Sequence, residues 1–103
     1  MIVYPTENYV SFVSEDTADN YFEKRLHASE WGSADKEAAL QTAFRSLQEL
    51  DIVIDLTDSE ELGAIQKAQM EQALWEIKHD QKSIYIMKIF PDRQFLEKFM
   101  NLR

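Results

Sequence analysis

Residues 33–50 hold the pattern that most narrows what this chain can become. Lys36, Leu40, Ala43, Phe44, Leu47 and Leu50 recur at the spacing of one helical face, and Gln41, Arg45, Gln48 and Glu49 fall mostly on the other. An amphipathic helix follows from that period. Gly32 interrupts what precedes it, Ser33 is placed to accept from a free backbone amide, and Asp35 and Glu37 put negative charge near the positive end of the dipole. Leu40, Phe44 and Leu47 make a stripe too apolar to stay in water, so the flanking segments are expected to fold onto it.

Ahead of that helix, residues 1–13 read as an extended segment whose Val3, Tyr4, Tyr9, Val10, Phe12 and Val13 tuck against the helices. Ser14 is an expected N-cap with Glu15 and Asp16 in the first turn, and Ala18, Tyr21, Phe22, Arg25 and Leu26 trace the inward face of a first helix running to about Ala28. Trp31 sits in a short link, where an aromatic side chain is expected as a lid over the end of two packed helices, with a binding role as its rival. Beyond the central helix, Ile52, Val53 and Ile54 are either a brief strand or a compact turn. Asp58 with Glu61 three residues on has the form of a capping box, so a third helix is expected from Ser59. Its stripe of Leu62, Ile65, Gln69, Ala73 and Ile77, widened by Met70, Leu74 and Trp75, implies burial on more than one side.

From Lys82 the pattern changes. Ile84, Ile86 and Lys88 alternate with Tyr85, Met87 and Ile89, which reads as a strand, with continuation of the third helix as its rival; Pro91 biases Phe90 toward extended geometry. A last helix follows, in which Phe95, Leu96, Phe99 and Met100 share a stripe that either closes the core or docks on another protein. The expected fold is therefore mainly α: a three-helix antiparallel bundle over residues 1–80, then a short β strand and a C-terminal helix over residues 81–103.

Charge separates the same two parts. Residues 1–77 carry sixteen acidic and five basic side chains, while residues 78–103 carry six basic and three acidic ones, within a formal total of −8. So acidic a body repels a phosphate backbone, which argues against nucleic-acid binding as its main work. With no cysteine, neither a disulfide framework nor a thiolate metal site can form. The opening MIVYPTENYV has neither a basic region nor a long apolar run, so no leader or membrane span is expected.

Catalytic parts are scarce. His27 and His79 are far apart and are expected at helix C-termini, where a cation suits the dipole, rather than as metal ligands. Asp51, Asp55, Asp58, Glu60 and Glu61 lack the order and central glycine of a calcium loop, so capping and solvated charge are their expected roles. The two glycines, Gly32 and Gly63, cannot build a phosphate cradle. Gly63 is either a close-packing point or a tolerated glycine near a helix start. No enzyme, metal or cofactor is expected.

Several stretches together resemble a known group. They are Asn8-Tyr9-Val10-Ser11, Ala18-Asp19 with Tyr21-Phe22, Leu26-His27-Ala28, Trp31, and Lys36-Glu37-Ala38-Ala39-Leu40 with Ala43 and Leu47. This order is similar to the opening of the small helical head-tail connector (adaptor) proteins of tailed bacteriophages, a group overlapping DnaT-like putative single-stranded-DNA-binding phage proteins. Ile65, Ala68, Gln69, Glu71, Ala73 and Leu74 are similar to that group's next helix, and the likeness spans about residues 8–77.

The resemblance implies a structural virion protein made in the host bacterial cytoplasm. It would form a homo-oligomeric ring, usually dodecameric, beneath the portal protein in the neck, among other neck or tail proteins. Genomic double-stranded DNA would pass without specific binding, and no membrane would be involved. On this view Asp51, Asp55 and Asp58 face the channel or a neighbouring subunit. The arm docks on the portal or an adjacent subunit through Ile84, Ile86, Phe95, Leu96, Phe99 and Met100, steered by Lys82, Lys88, Arg93, Lys98 and Arg103. Two other classes compete: a single-stranded-DNA-binding protein, and an acidic helical regulator of a host protein.

Overall fold

The computed structural model describes residues 1–49 and 54–79. Three α-helices carry them, α1 (Glu15–Glu23), α2 (Lys36–Gln48) and α3 (Ser59–Lys78), with a 3-10 turn at Ser29–Ser33 between the first two. The strand expected from Lys82, the terminal helix and Asp51 lie outside the described residues.

The N-terminal segment differs from its expected extended form. It folds back on itself: Tyr4 N–H donates to Ser11 O at 2.9 Å, Val10 N–H to Ile2 O at 2.8 Å and Thr6 N–H to Val3 O at 3.0 Å. Asn8 supports the reversal with φ 62°, a left-handed conformation that asparagine tolerates better than most residues. Ser14 then caps α1 as expected, its Oγ accepting from Thr17 N–H at 3.1 Å.

The first helix stops at Glu23 rather than near Ala28. Arg25 leaves the helical path to reach Glu71, its Nε donating to Oε1 at 2.8 Å, and its guanidinium also donates to Leu26 O. His27 follows with φ 59°, which no right-handed helix contains. Two expectations fail with that early stop. Leu26 is 80% exposed instead of facing inward, and His27 lies in the connection rather than at the end of α1.

The central helix begins two residues later than its sequence suggests. Ser33 is spent as the last residue of the 3-10 turn, and Asp35 is the cap, its Oδ1 accepting from Ala38 N–H at 3.1 Å. The turn exists because Trp31 is buried there against Phe22, ring centroids 4.7 Å apart. Asp58 caps α3 as expected, accepting from Glu60 N–H at 2.9 Å and Glu61 N–H at 3.2 Å. Its own N–H donates to Asp55 O at 3.1 Å, so the reciprocal half of the box is replaced by a turn. His79 does stand at the end of α3, stacked on Trp75 with centroids 3.4 Å apart.

Packing divides the interior into two clusters. In the first, Val13, Ala18, Phe22, Ala28 and Trp31 meet Leu40 and Ala43 of α2 and Met70, Ala73 and Leu74 of α3. In the second, Phe12 meets Phe44, Leu47, Ile65 and Ala68, with Tyr4, Tyr9, Ile54, Leu56 and Leu62 packed around them. Leu40, Phe44 and Leu47, the stripe that organised the sequence, are all buried, each stabilising the fold by roughly 1.5–3 kcal/mol. Residues 68–74 of α3 are buried without a break, so this helix is covered on every face over two turns. Leu40 O accepts from Gln69 Nε2 at 2.9 Å and Ser46 Oγ donates to Glu76 at 3.1 Å, so polar bonds as well as apolar contacts join α2 to α3.

Candidate interaction surface

Three polar joints, two centred on buried side chains and the third half-exposed, hold the elements in register. Gln69, fully buried on α3, accepts Phe12 N–H at 2.8 Å and donates to Ser11 Oγ at 2.7 Å and Leu40 O at 2.9 Å. Gln66, one turn earlier, donates to Phe12 O at 3.1 Å. Glu71, only 4% exposed, accepts from Tyr21 Oη at 2.8 Å and from Arg25. Asp19 accepts the Trp31 indole N–H at 2.8 Å and pairs with Lys36 at 2.9 Å. The Lys36 ammonium, then the Trp31 N–H, hold the Asp19 carboxyl below its ordinary range. Burial, then the bond to Glu71, push the Tyr21 phenol well above its ordinary range.

Sequence reasoning missed these joints. One signal was available for the first: Gln69 interrupts an otherwise apolar stripe, and a polar side chain on a buried face has to find partners. Nothing local announced Glu71, whose partners are 46 and 50 positions away.

Outside these joints the surface is acidic. Eleven carboxylates are exposed among the described residues: Glu7, Glu15, Asp16, Glu23, Glu30, Asp35, Glu37, Glu49, Asp55, Asp58 and Glu60. Four cations accompany them: Lys24, Arg45, Lys67 and Lys78. Of the acidic residues singled out in the sequence, Asp55 and Asp58 are exposed in the turn before α3. Asp55 Oδ1 accepts from Thr57 N–H at 3.0 Å and from Thr57 Oγ1 at 2.5 Å, bonds that hold its carboxyl below the ordinary range. Asp58 is committed to the cap, so both have local work as well as exposed charge. Ile84, Ile86, Phe95, Leu96, Phe99, Met100, Lys88, Arg93, Lys98 and Arg103 lie outside the described residues.

A cavity of about 150 Å³ lies between the end of α1 and the last turns of α3, lined by Arg25, Glu71, Leu74, Trp75, Lys78 and His79. Its cations are engaged: Arg25 with Glu71, and Lys78 with His27 O and, at 3.9 Å, Glu30. Among the described residues no three His, Cys, Asp or Glu side chains gather as a metal would require, and no helix is long and apolar enough to cross a membrane. Compared with protein-family models, with curated proteins and with solved structures, the chain finds no match.

Proposed function

We propose that this chain is a structural head-tail connector of a tailed bacteriophage, assembling as a ring, dodecameric by the resemblance, beneath the portal protein. The observation that carries the reading is the surface: a helical body held by polar joints presents eleven exposed carboxylates against four exposed cations. A wall of like charge offers DNA no counterion-release attraction, so the genome passes without sticking. In this reading the three helices form the body of a bundle and the residues from Lys82 onward form the strand-and-helix arm. That arm docks on the portal or a neighbouring subunit.

The test is the copy number of this chain relative to the portal protein in purified particles, by quantitative mass spectrometry. A ratio near one supports a ring matched to the portal. Absence from particles overturns the reading and favours the acidic regulator of a host protein, for which the same carboxylates would be the binding surface. Salt-sensitive binding to an oligonucleotide, through Lys82 and Lys88 with Tyr85 or Phe90 stacking on bases, would favour the single-stranded-DNA reading instead. Deleting residues 82–103 should leave a folded helical body that no longer joins the portal.

A further inference from the structure

We propose that residues 1–13 are an exchangeable strap: the groove between α2 and α3 that holds this segment can take it either from the same chain or from a second copy. This inference does not depend on the connector reading.

Among the described residues, every backbone-to-backbone hydrogen bond of residues 1–13 closes within the segment. Its hydrogen bonds and ion pair to the rest of the molecule all involve a side chain. Gln69 and Gln66 take the N–H and the C=O of Phe12, Gln69 also holds Ser11 and Tyr4 Oη donates to Leu56 O at 3.4 Å; the terminal ammonium lies 3.7 Å from Glu37. Two glutamines one turn apart thus do for Phe12 what a neighbouring strand would do, reading its backbone while Phe44, Leu47, Ile65 and Ala68 enclose its ring. That is the recognition mode of a peptide bound to a receptor.

The joint to the rest of the chain is equally simple. Ser14 is extended, with ψ 162°, and its Oγ caps α1 through Thr17, so α1 starts without help from the strap. Ala18 and Phe22 anchor α1 in the first cluster, where Val13 is the strap's single buried contribution, whereas the strap's rings, Tyr4, Tyr9 and Phe12, belong to the second. A segment closed on itself, joined to α1 through an extended residue and bound as a ligand can leave as a unit and be replaced by its equivalent from another copy.

Two measurements on the full chain test this. In hydrogen exchange followed by mass spectrometry, the protected amides of the strap (Tyr4, Thr6, Val10 and Phe12) should exchange together, at least about tenfold faster than the slowest amides of α2 and α3. In a mixture of unlabelled and methyl-labelled protein held at high concentration, nuclear Overhauser effects should link Phe12 and Tyr9 rings of one copy to Leu47 and Ile65 methyls of another. Strap amides that exchange only at the rate of the helix core overturn the proposal. So does an opening strap that yields no intermolecular effect at any concentration.

Discussion

The indole N–H of Trp31 and the ammonium of Lys36 converge on one oxygen of Asp19, Oδ1, at 2.8 and 2.9 Å. One atom of α1 therefore fixes both the 3-10 turn and the first residue of α2. The Lys36 ammonium also lies 5.9 Å from the centre of the Trp31 ring, so cation, ring and carboxylate form one closed unit.

That unit makes stability fall in acid. The Asp19 carboxyl is held below 3.8 in the folded chain, so the folded state prefers the carboxylate. Its contribution is fully present above the unfolded value and is lost as pH falls through the folded one. Asp19→Asn, which keeps an acceptor for Trp31 but loses the charge facing Lys36, is expected to be less stable than the parent at pH 7. The gap should close toward pH 3. Urea midpoints at both pH values check this; a gap that widens in acid contradicts it.

The opposite sign applies at Tyr21. Burial, then its hydrogen bond to Glu71, raise the phenol well above 10.0, so the folded state holds this proton more tightly than the unfolded chain. The stabilisation is present below 10.0 and is lost as pH rises through the folded value. Tyr21→Phe is expected to cost about 1 kcal/mol at pH 7 and to flatten the loss of stability above pH 10. In an absorbance titration of the parent, one tyrosine should ionise only as the protein unfolds.

Gln69 is expected to be the most damaging single position in α3. Gln69→Ala leaves Phe12 N–H without its buried partner, removes the second bond to Leu40 O and opens a void beside the second cluster. Together these amount to roughly 3 kcal/mol or more. For a domain of this size that lowers the melting temperature by more than about 10 °C, measurable by circular dichroism. A drop of only a degree or two would mean that water replaces the side chain.

Local signals and long-range ones divide what could be read in the sequence. The faces of α2 and α3, the Ser14 and Asp58 caps and the burial of Trp31 follow from period 3.6, short polar side chains at helix starts, and an aromatic ring with no other cover. The early end of α1 was not legible, because Arg25 leaves the helix for Glu71, 46 positions away. The folding back of residues 1–13 closes through bonds within the segment, but what holds it to the body was hidden for the same reason: Gln66 and Gln69 are on α3. Of the candidate surface, the acidity was plain from composition, and Asp55 and Asp58 are exposed. Their engagement by Thr57 and by the start of α3 was half visible, through the capping pattern alone.

Helix starts offer a direct comparison between the serine that the sequence favours and the aspartate that the structure uses. Asp35→Ala and Asp58→Ala are each expected to cost about 1 kcal/mol, because each removes the acceptor of an otherwise free amide. Ser33→Ala should change stability by less than about 0.5 kcal/mol, since Ser33 closes the 3-10 turn and makes only a 3.4 Å bond to Glu30 O. Equal losses at Ser33 and Asp35, in chemical denaturation, would return the cap to Ser33.

Gly63 stands in the second turn of α3, and the structure decides between its two readings. A Cβ built there meets nothing within 4 Å, the residue is exposed, and its φ is not in the left-handed region. No neighbour approaches closely enough to require glycine, so its conformational freedom only opposes the helix. Gly63→Ala is expected to stabilise the chain by about 0.5–1 kcal/mol, raising the melting temperature by a few degrees. A destabilised variant would mean that another surface closes on this side of α3, and the oligomeric state of the parent would then be the quantity to measure at the same concentration.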